Sequence, residues 1–525
     1  MRSKRPPARC LAALLALAAL LPGPALAASH GLTSLTVGIV AEERMVLSPL
    51  TVRERDPLNI LALCYEGLVS LNDDEYPEPC LAESWDAPQG NSDRWIFHLR
   101  PGVTFHNGKP LTANDVCATL DYIFQLGGYD ADRKSELPVE ERGVWGNLIA
   151  YVSSWQAIDE ATVQITATRR YFGLLNAMTF PILPAEEVAN AMPAGTGPYR
   201  IEEYEPGERI WLSASSTWWK PAPAVANIVA YIYRDLDDVL NAFDLGQVDM
   251  AATRSMSATR YSGSMRSFSM NYRTRQLEVL LMQHTGLLAQ EYLRRAIMCA
   301  IDRSRLVRQV YQDMATPVNT PIAPGTWLYD ESATQEEYDP AQARALLEQN
   351  GWLLGSDGKR SKSVDGVPTE LSLRLFTYEE PGNSVRRSAA ATIQEMLGEV
   401  GITCRLSSLS YSDTKLRLEK GGFDLVLGAI NLDVVPDPGF MLMSGYATNY
   451  CRYNSENMTK LIKSMRIAVS DEAYRAAMRE VQHQFVMDAP FMCLYFRNGA
   501  LLTRQTFTDA RSLREMELLR GIEVW

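Results

Sequence analysis

Apolar and polar positions along the chain predict a succession of strands and helices. Leu35 to Val40 reads as a first strand. Arg94 to Arg100 alternates loosely, Val103 to Phe105 predicts a short strand, and Asn107-Gly108 is a hairpin-type turn. Thr112 and Asp115 then stand at capping-box spacing, before Val116, Leu120 and Ile123 recur with helical period. Thr162 to Thr168 alternates as a strand. Tyr199 to Tyr204 and Arg209 to Ser213 form a hairpin closed by Pro206-Gly207. Ile228 to Tyr233, Leu236 to Phe243 and Val248 to Met250 follow as strand, helix and strand, a unit suited to a parallel sheet.

A second α/β region starts near Leu277. Glu278 to Met282 is strand-like and Tyr292 to Ile301 helical. Asp339-Pro340 is an N-cap followed by proline in the first helical position, and that helix ends at Gly351. Leu371 to Phe376, Ile402 to Leu406 and Asp424 to Ile430 read as strands, with helices between them. Amphipathic helices at about Asn457–Ala468 and Asp471–Met487 precede a last strand, Phe491 to Leu502. The polar segment Gly355 to Gly366 reads as an exposed loop, and Asp73-Asp74-Glu75 as a solvated turn. The chain is expected to return to its first α/β region at its end.

A chain of 525 residues is too long for one core, so two or three domains are expected. The N-terminus departs from the pattern. Arg2, Lys4, Arg5 and Arg9 precede an apolar run from Leu11 to Leu21. Pro22-Gly23-Pro24 then breaks it, and Ala25-Leu26-Ala27 offers a cleavage site. This is the layout of a secretory signal over residues 1–27, with a run too short to span a bilayer. Cys10 precedes the apolar run, the wrong order for a lipid-anchoring site. Losing the four cations takes the formal net charge from −12 to −16, which argues against nucleic acid and anionic membranes as partners. Seven cysteines remain, an odd number with no C-x-x-C spacing. They read mostly as buried thiols, though export permits a bridge whose partners spacing does not identify.

The common catalytic signatures are absent: no G-x-S-x-G, H-E-x-x-H, Walker-type loop or G-x-G-x-x-G occurs. None of the five histidines stand at i, i+4. His98 and His106 flank one turn and read as ordinary hydrogen-bonding residues. No catalytic residue, cofactor or metal site is expected.

Several segments together resemble family 5 of the extracellular solute-binding proteins, the dipeptide-, oligopeptide- and nickel-binding components of ABC transporters. Tyr65-Glu66-Gly67-Leu68-Val69, Leu81-Ala82-Glu83-Ser84-Trp85 and the block from Trp95 to Val116 carry the resemblance most specifically. Gly195-Thr196-Gly197-Pro198-Tyr199, Arg294 to Arg303, Tyr338 to Trp352 and Lys420 to Leu425 extend it through nearly all of the mature chain. The resemblance implies an α/β, bilobal periplasmic-binding-protein-like fold of type II. Lobe I would be 28–65, 195–270 and 490–525, an inserted subdomain 66–194, and lobe II 271–489. It implies an extracytoplasmic monomer that captures a small solute, with a short peptide favoured, and delivers it to the permease subunits of an ABC importer. A ligand-sensing receptor on the same fold and a secreted hydrolase are the alternatives.

Candidate ligand contacts follow from the same resemblance and from position. Asp433 is nearest to an aspartate that holds peptide amino groups in the family, but it sits one residue further from Asp437-Pro438 and lacks the flanking Trp and Tyr. Arg386 and Arg387 open a helix as an arginine pair does in dipeptide-binding relatives, and suit a carboxylate. Trp327 falls in an interlobe loop, Tyr446 near the rim of lobe II. Glu43 and Arg44 follow the first strand, where open α/β sheets bind ligands.

Overall fold

Two antiparallel strands, Phe268–Met282 and Phe491–Thr503, belong to both lobes of the molecule. The computed structural model describes residues 34–88, 93–129, 134–137, 142–264, 266–364, 366–380, 384–504 and 513–522. The expected signal segment and Cys10 lie outside the described residues.

The two long strands form the middle of one mixed sheet. On one side follow Met250–Thr253, Ser34–Val40, Asn227–Tyr233, Arg209–Ala214 and Tyr199–Glu205, which make lobe I. On the other follow Leu425–Asn431, Ser372–Tyr378 and Thr403–Leu409, which make lobe II. Ser34–Val40 pairs in parallel with both of its neighbours, and Ser372–Tyr378 does the same in lobe II. Parallel neighbours need crossovers, and helices Leu236–Leu245, Val385–Glu399 and Tyr411–Lys420 supply them. A four-stranded antiparallel sheet, with Arg94–Leu99 inside it and helix Ala113–Leu126 against it, forms the inserted subdomain. Trp95, Phe97 and Leu99 point alternately inward and join the core of lobe I. The hydroxyl and amide of Thr112 donate to Asp115, whose other oxygen accepts from the Ala185 amide. A Cβ on Gly195 or Gly197 would meet the carbonyls of Cys64 and Leu63, so the motif at 195–199 is a close backbone approach.

Four expectations are corrected. Val103 to Phe105 forms no strand, only a bridge between Thr104 and Pro110. The strand expected at Val248 lies at Met250–Thr253. The segment 355–366 is not a plain loop, because Arg360–Val364 pairs with Leu353–Leu354 and Val367–Glu370. Fully buried Arg360 anchors it, donating to the carbonyls of Val400 and Trp352 at 2.7 Å each. The polar composition concealed this because one inward arginine, not an apolar stripe, fixes the sheet. Finally, the acidic turn at 73–75 is not simply solvated.

Asn72 accepts from the amides of Asp74 and Tyr76, and Glu75 takes φ 62°, so this turn aims its groups across the cleft. The Asp74 carbonyl accepts from the Trp327 amide at 2.8 Å, and the Asp73 carbonyl from Arg273 at 2.6 Å. Tyr76 donates its hydroxyl to Asp471 at 2.7 Å. Glu75 lies 3.3 Å from Arg275 and 3.9 Å from Arg273. The turn is a clasp between the inserted subdomain and lobe II. Burial alone would raise the Glu75 carboxyl, but Arg275, Arg514 and Arg273 hold it below the ordinary carboxylate range.

The seven described cysteines are free, and all but Cys117 are buried. Their thiols are pushed above the ordinary range by burial, which disfavours oxidation.

The long strands change register midway. Arg273 faces Asn498 and Leu277 faces Phe496, so residues 274–276 oppose Arg497 alone. Thr274 spans the gap: its hydroxyl donates to the Arg497 carbonyl at 2.6 Å and accepts from the Gln276 amide. Gly499 faces Tyr272, and a Cβ there would overlap the tyrosine ring. Gly499→Ala is therefore expected to cost about 1–3 kcal/mol of stability. Combined with Tyr272→Ala the cost should fall well short of the sum, as a double-mutant cycle in urea would show. For the clasp, Glu75→Gln should cost about 1–3 kcal/mol at pH 7. The folded pKa is depressed, so this increment is present above the unfolded value near 4.3 and lost as pH falls through the folded value. Unfolding midpoints of wild type and variant should converge on titration from pH 7 to pH 3.

Candidate functional site

The bulge at 274–276 forms the floor of the interlobe cleft. A strand that changes register there presents Arg273, Thr274 and Arg275 towards the cleft instead of continuing an even pleat. The clasp residue Glu75 and Asn176 form one wall. The lobe II segments 321–328 and 432–441 form the other. Between them is a chamber of about 70 Å³. A second chamber of about 320 Å³ runs under the inserted subdomain, and Arg275 and Val434 line both. Leu58, Tyr65, Val69, Leu71, Val144 and Trp145 give the larger chamber mainly apolar walls. Its volume falls in the range of small-ligand sites.

One end of the larger chamber carries Glu66, whose two oxygens accept from the indole N–H groups of Trp219 at 2.9 Å and Trp218 at 3.3 Å. Burial raises this carboxyl above its ordinary value against those donors and Lys220. Lys220 lies over the Trp219 ring at 4.5 Å and Arg100 at 4.3 Å. The tyrosine and glutamate of the Tyr65-Glu66-Gly67 motif therefore sit in the chamber wall. The other end carries Arg514 and Arg520, each tied to Glu517 and to the acidic turn or its flanks.

The residues expected from sequence divide into three groups. Trp327 and Asp433 both line the smaller chamber. The Trp327 ring meets Tyr76 edge-on at 5.1 Å and Tyr474 at 5.9 Å. The Asp433 carboxylate receives long contacts of 3.4 Å from Asn147, Tyr151 and the Val435 amide, while its carbonyl accepts from Arg275 at 3.0 Å. Glu43 and Tyr446 lie further out. Glu43 is exposed on an open groove with Arg234 and Arg254, and Arg44 beside it is exposed and lines neither chamber. Tyr446 lies 3.5 Å from Arg169 of the inserted subdomain. Burial would raise its hydroxyl, but Arg466 and Arg169 bring it below the ordinary value.

The arginine pair points elsewhere. Arg386 is 2% exposed and turned into lobe II, where Glu278 binds it through two nitrogens and Glu380 adds 2.9–3.0 Å bonds. Its donors are spent on internal carboxylates, so it does not reach the cleft as expected. The physical reason is Glu278, a fully buried charge on the long strand that requires a partner. Arg387 is exposed beside Glu379 at 3.5 Å. Asp437 is likewise internal, paired with Arg466 at 2.8 Å. Sequence reasoning missed Arg275, Glu75, Trp145 and Tyr151. The one available signal was the pair Arg273 and Arg275 at alternate positions immediately before an apolar strand.

His98 bonds to Asp86 at 3.0 Å and His106 to the Gly197 carbonyl at 2.9 Å. Among the described residues no group of three or more His, Cys, Asp or Glu is placed to hold a metal ion, and no helix is long and apolar enough to cross a membrane.

The chain resembles known binding proteins along most of its length. It is 24% identical to the oligopeptide-binding protein AppA of Bacillus subtilis over 452 residues, covering 81% of this chain and 79% of that protein. It is 24% identical to the dipeptide-binding protein of Escherichia coli, covering 78% of each. Its fold matches NikA from Brucella suis, solved in complex with Fe(III)-EDTA, with a TM-score of 0.74 at 21% identity over 94% of this chain and 99% of that one. Residues 76–450 match the family model of bacterial extracellular solute-binding proteins, family 5, and on that match, which spans most of its length, the chain belongs to that family.

Proposed function

We propose that this protein is the solute-capturing component of an ABC importer, taking a small solute into the interlobe cleft and passing it to membrane permease subunits. The observation that carries this reading is the pair of adjoining chambers beside the two strands that cross between the lobes, closed over by the clasp. A cleft so built opens and closes as the lobes turn about the strands. The chain reads as a binding protein and not an enzyme. The proposed domain limits are those implied by the resemblance, 28–65, 195–270 and 490–525 for lobe I, 66–194 for the insertion and 271–489 for lobe II, with the two long strands shared between the lobes.

A short peptide is the favoured solute. The named peptide-binding relatives support it, as does a cleft offering a mainly apolar chamber and an under-bonded carboxylate at Asp433. Asp433 suits a cationic ligand group, and Trp327 an apolar one. Among the other sequence candidates, Tyr446, Glu43 and Arg44 are proposed only as contacts at the mouth, and Arg387 as a surface residue.

Native mass spectrometry of the purified protein should show a bound mass in the di- to tetrapeptide range. A cleft that stays empty against a broad peptide library, in a folded protein, would sink the peptide reading. Asp433→Asn should weaken binding of a peptide with a free amino group about tenfold or more and leave its N-acetylated form unaffected, by calorimetry. Expression with the full leader in a bacterium should yield a mature chain starting at Ala28, read from its intact mass.

A further inference from the structure

We propose that the ligand of this cleft carries a carboxylate, held by Arg275 at the partition between the two chambers, with an apolar body in the larger one. This deepens the solute-binding reading and rests on it.

Arg275 and Val434 are the two residues that line both chambers. Three other arginines approach the same region, and each is committed. Arg514 donates to the Asn72 and Leu71 carbonyls at 2.5 and 2.7 Å and to Glu517 at 2.9 Å. Arg520 donates to Asp73 at 2.5 Å and lies beside Glu517. Arg273 bonds the Asp73 and Pro324 carbonyls and lines the smaller chamber alone.

Arg275 differs. One Nη1 hydrogen goes to the Asp433 carbonyl at 3.0 Å. Its other contact is Glu75 at 3.3 Å, longer than the 2.7–2.9 Å of a full charge-assisted bond. A guanidinium has five donors, so most of its capacity is unspent among the described residues, and its side chain is 31% exposed. The side chain is fixed at its root, since the Arg275 carbonyl accepts from the Leu432 amide, which extends the ladder between the long strand and Leu425–Asn431. A planar donor array anchored on the hinge, half-engaged by an internal carboxylate, is suited to exchanging Glu75 for a carboxylate from a ligand. The apolar walls at Leu58, Val69, Leu71 and Trp145 then bury the body of that ligand and keep water from the ion pair.

Calorimetry with two matched pairs of probes tests this: the dipeptide Leu-Phe against its C-terminal amide, and 4-phenylbutyrate against 4-phenylbutyramide. The acid of at least one pair should bind about tenfold or more tightly than its amide. Arg275→Gln should abolish that preference without weakening the amide, and Arg275→Lys should retain part of it. Glu75→Gln frees Arg275, so acid binding should hold or strengthen. Equal affinity of acid and amide in both pairs, or no binding of either acid, overturns the proposal. So does a parallel loss for acid and amide in both Arg275→Gln and Glu75→Gln, which marks Arg275 as part of the clasp alone. Acid preference with phenylbutyrate and silence from the dipeptide pair leaves the inference standing, and the peptide reading then falls if a broad peptide library is silent too. Equal binding of dipeptide acid and amide, with no preference in the other pair, does the reverse.

Discussion

Tyr272 against Gly499, and Thr274 across the gap that follows, set how two strands can serve two lobes at once. An unbroken antiparallel ladder through both lobes would be stiff, because every backbone donor along it would be spent on its neighbour. Residues 274–276 against Arg497 interrupt that ladder at one place. Thr274 satisfies two of the groups left over, the Arg497 carbonyl and the Gln276 amide, which lowers the penalty of the interruption. The bulge bends the strand and turns Arg273 and Arg275 towards the cleft. The crossing between the lobes and the cleft floor are thus one feature of the backbone.

Charge is distributed around this hinge in two ways. Glu278, fully buried three residues beyond Arg275, is neutralised inside lobe II by Arg386 with help from Gln276. That pair is dry and permanent, and removing either partner would strand a charge. Glu75 answers Arg273 and Arg275 from across the cleft, at longer distances and partly in reach of water. Such contacts are weaker and reversible, which suits a clasp that must release.

The chambers on either side of Arg275 differ in character. The smaller has Asp433, Glu75 and Trp327 close together, and the larger is bounded by aliphatic and aromatic side chains. A ligand with one charged end and one apolar end meets complementary surroundings in both, and orientation follows from that difference. The family relationship explains the architecture; Arg275 and Val434 at the partition are side chains of this member.

The sequence by itself determined most of the elements and the family. Period-two alternation at Arg94–Leu99, the capping pair Thr112 and Asp115, and Asp339-Pro340 are local signals that depend on a few neighbours, and the strands and helices lie where these place them. Trp327 and Asp433 were legible as cleft residues because they fall in motif-like segments of an alignable fold. What tertiary structure alone decided was which charges face which. Arg386 looked like a ligand contact until Glu278, more than a hundred residues earlier, occupied it. Asp73 to Glu75 looked like a solvated turn until Arg273 and Arg275 met it. The partner of a charge is set by distances through space across the hinge, and sequence spacing carries no record of those distances.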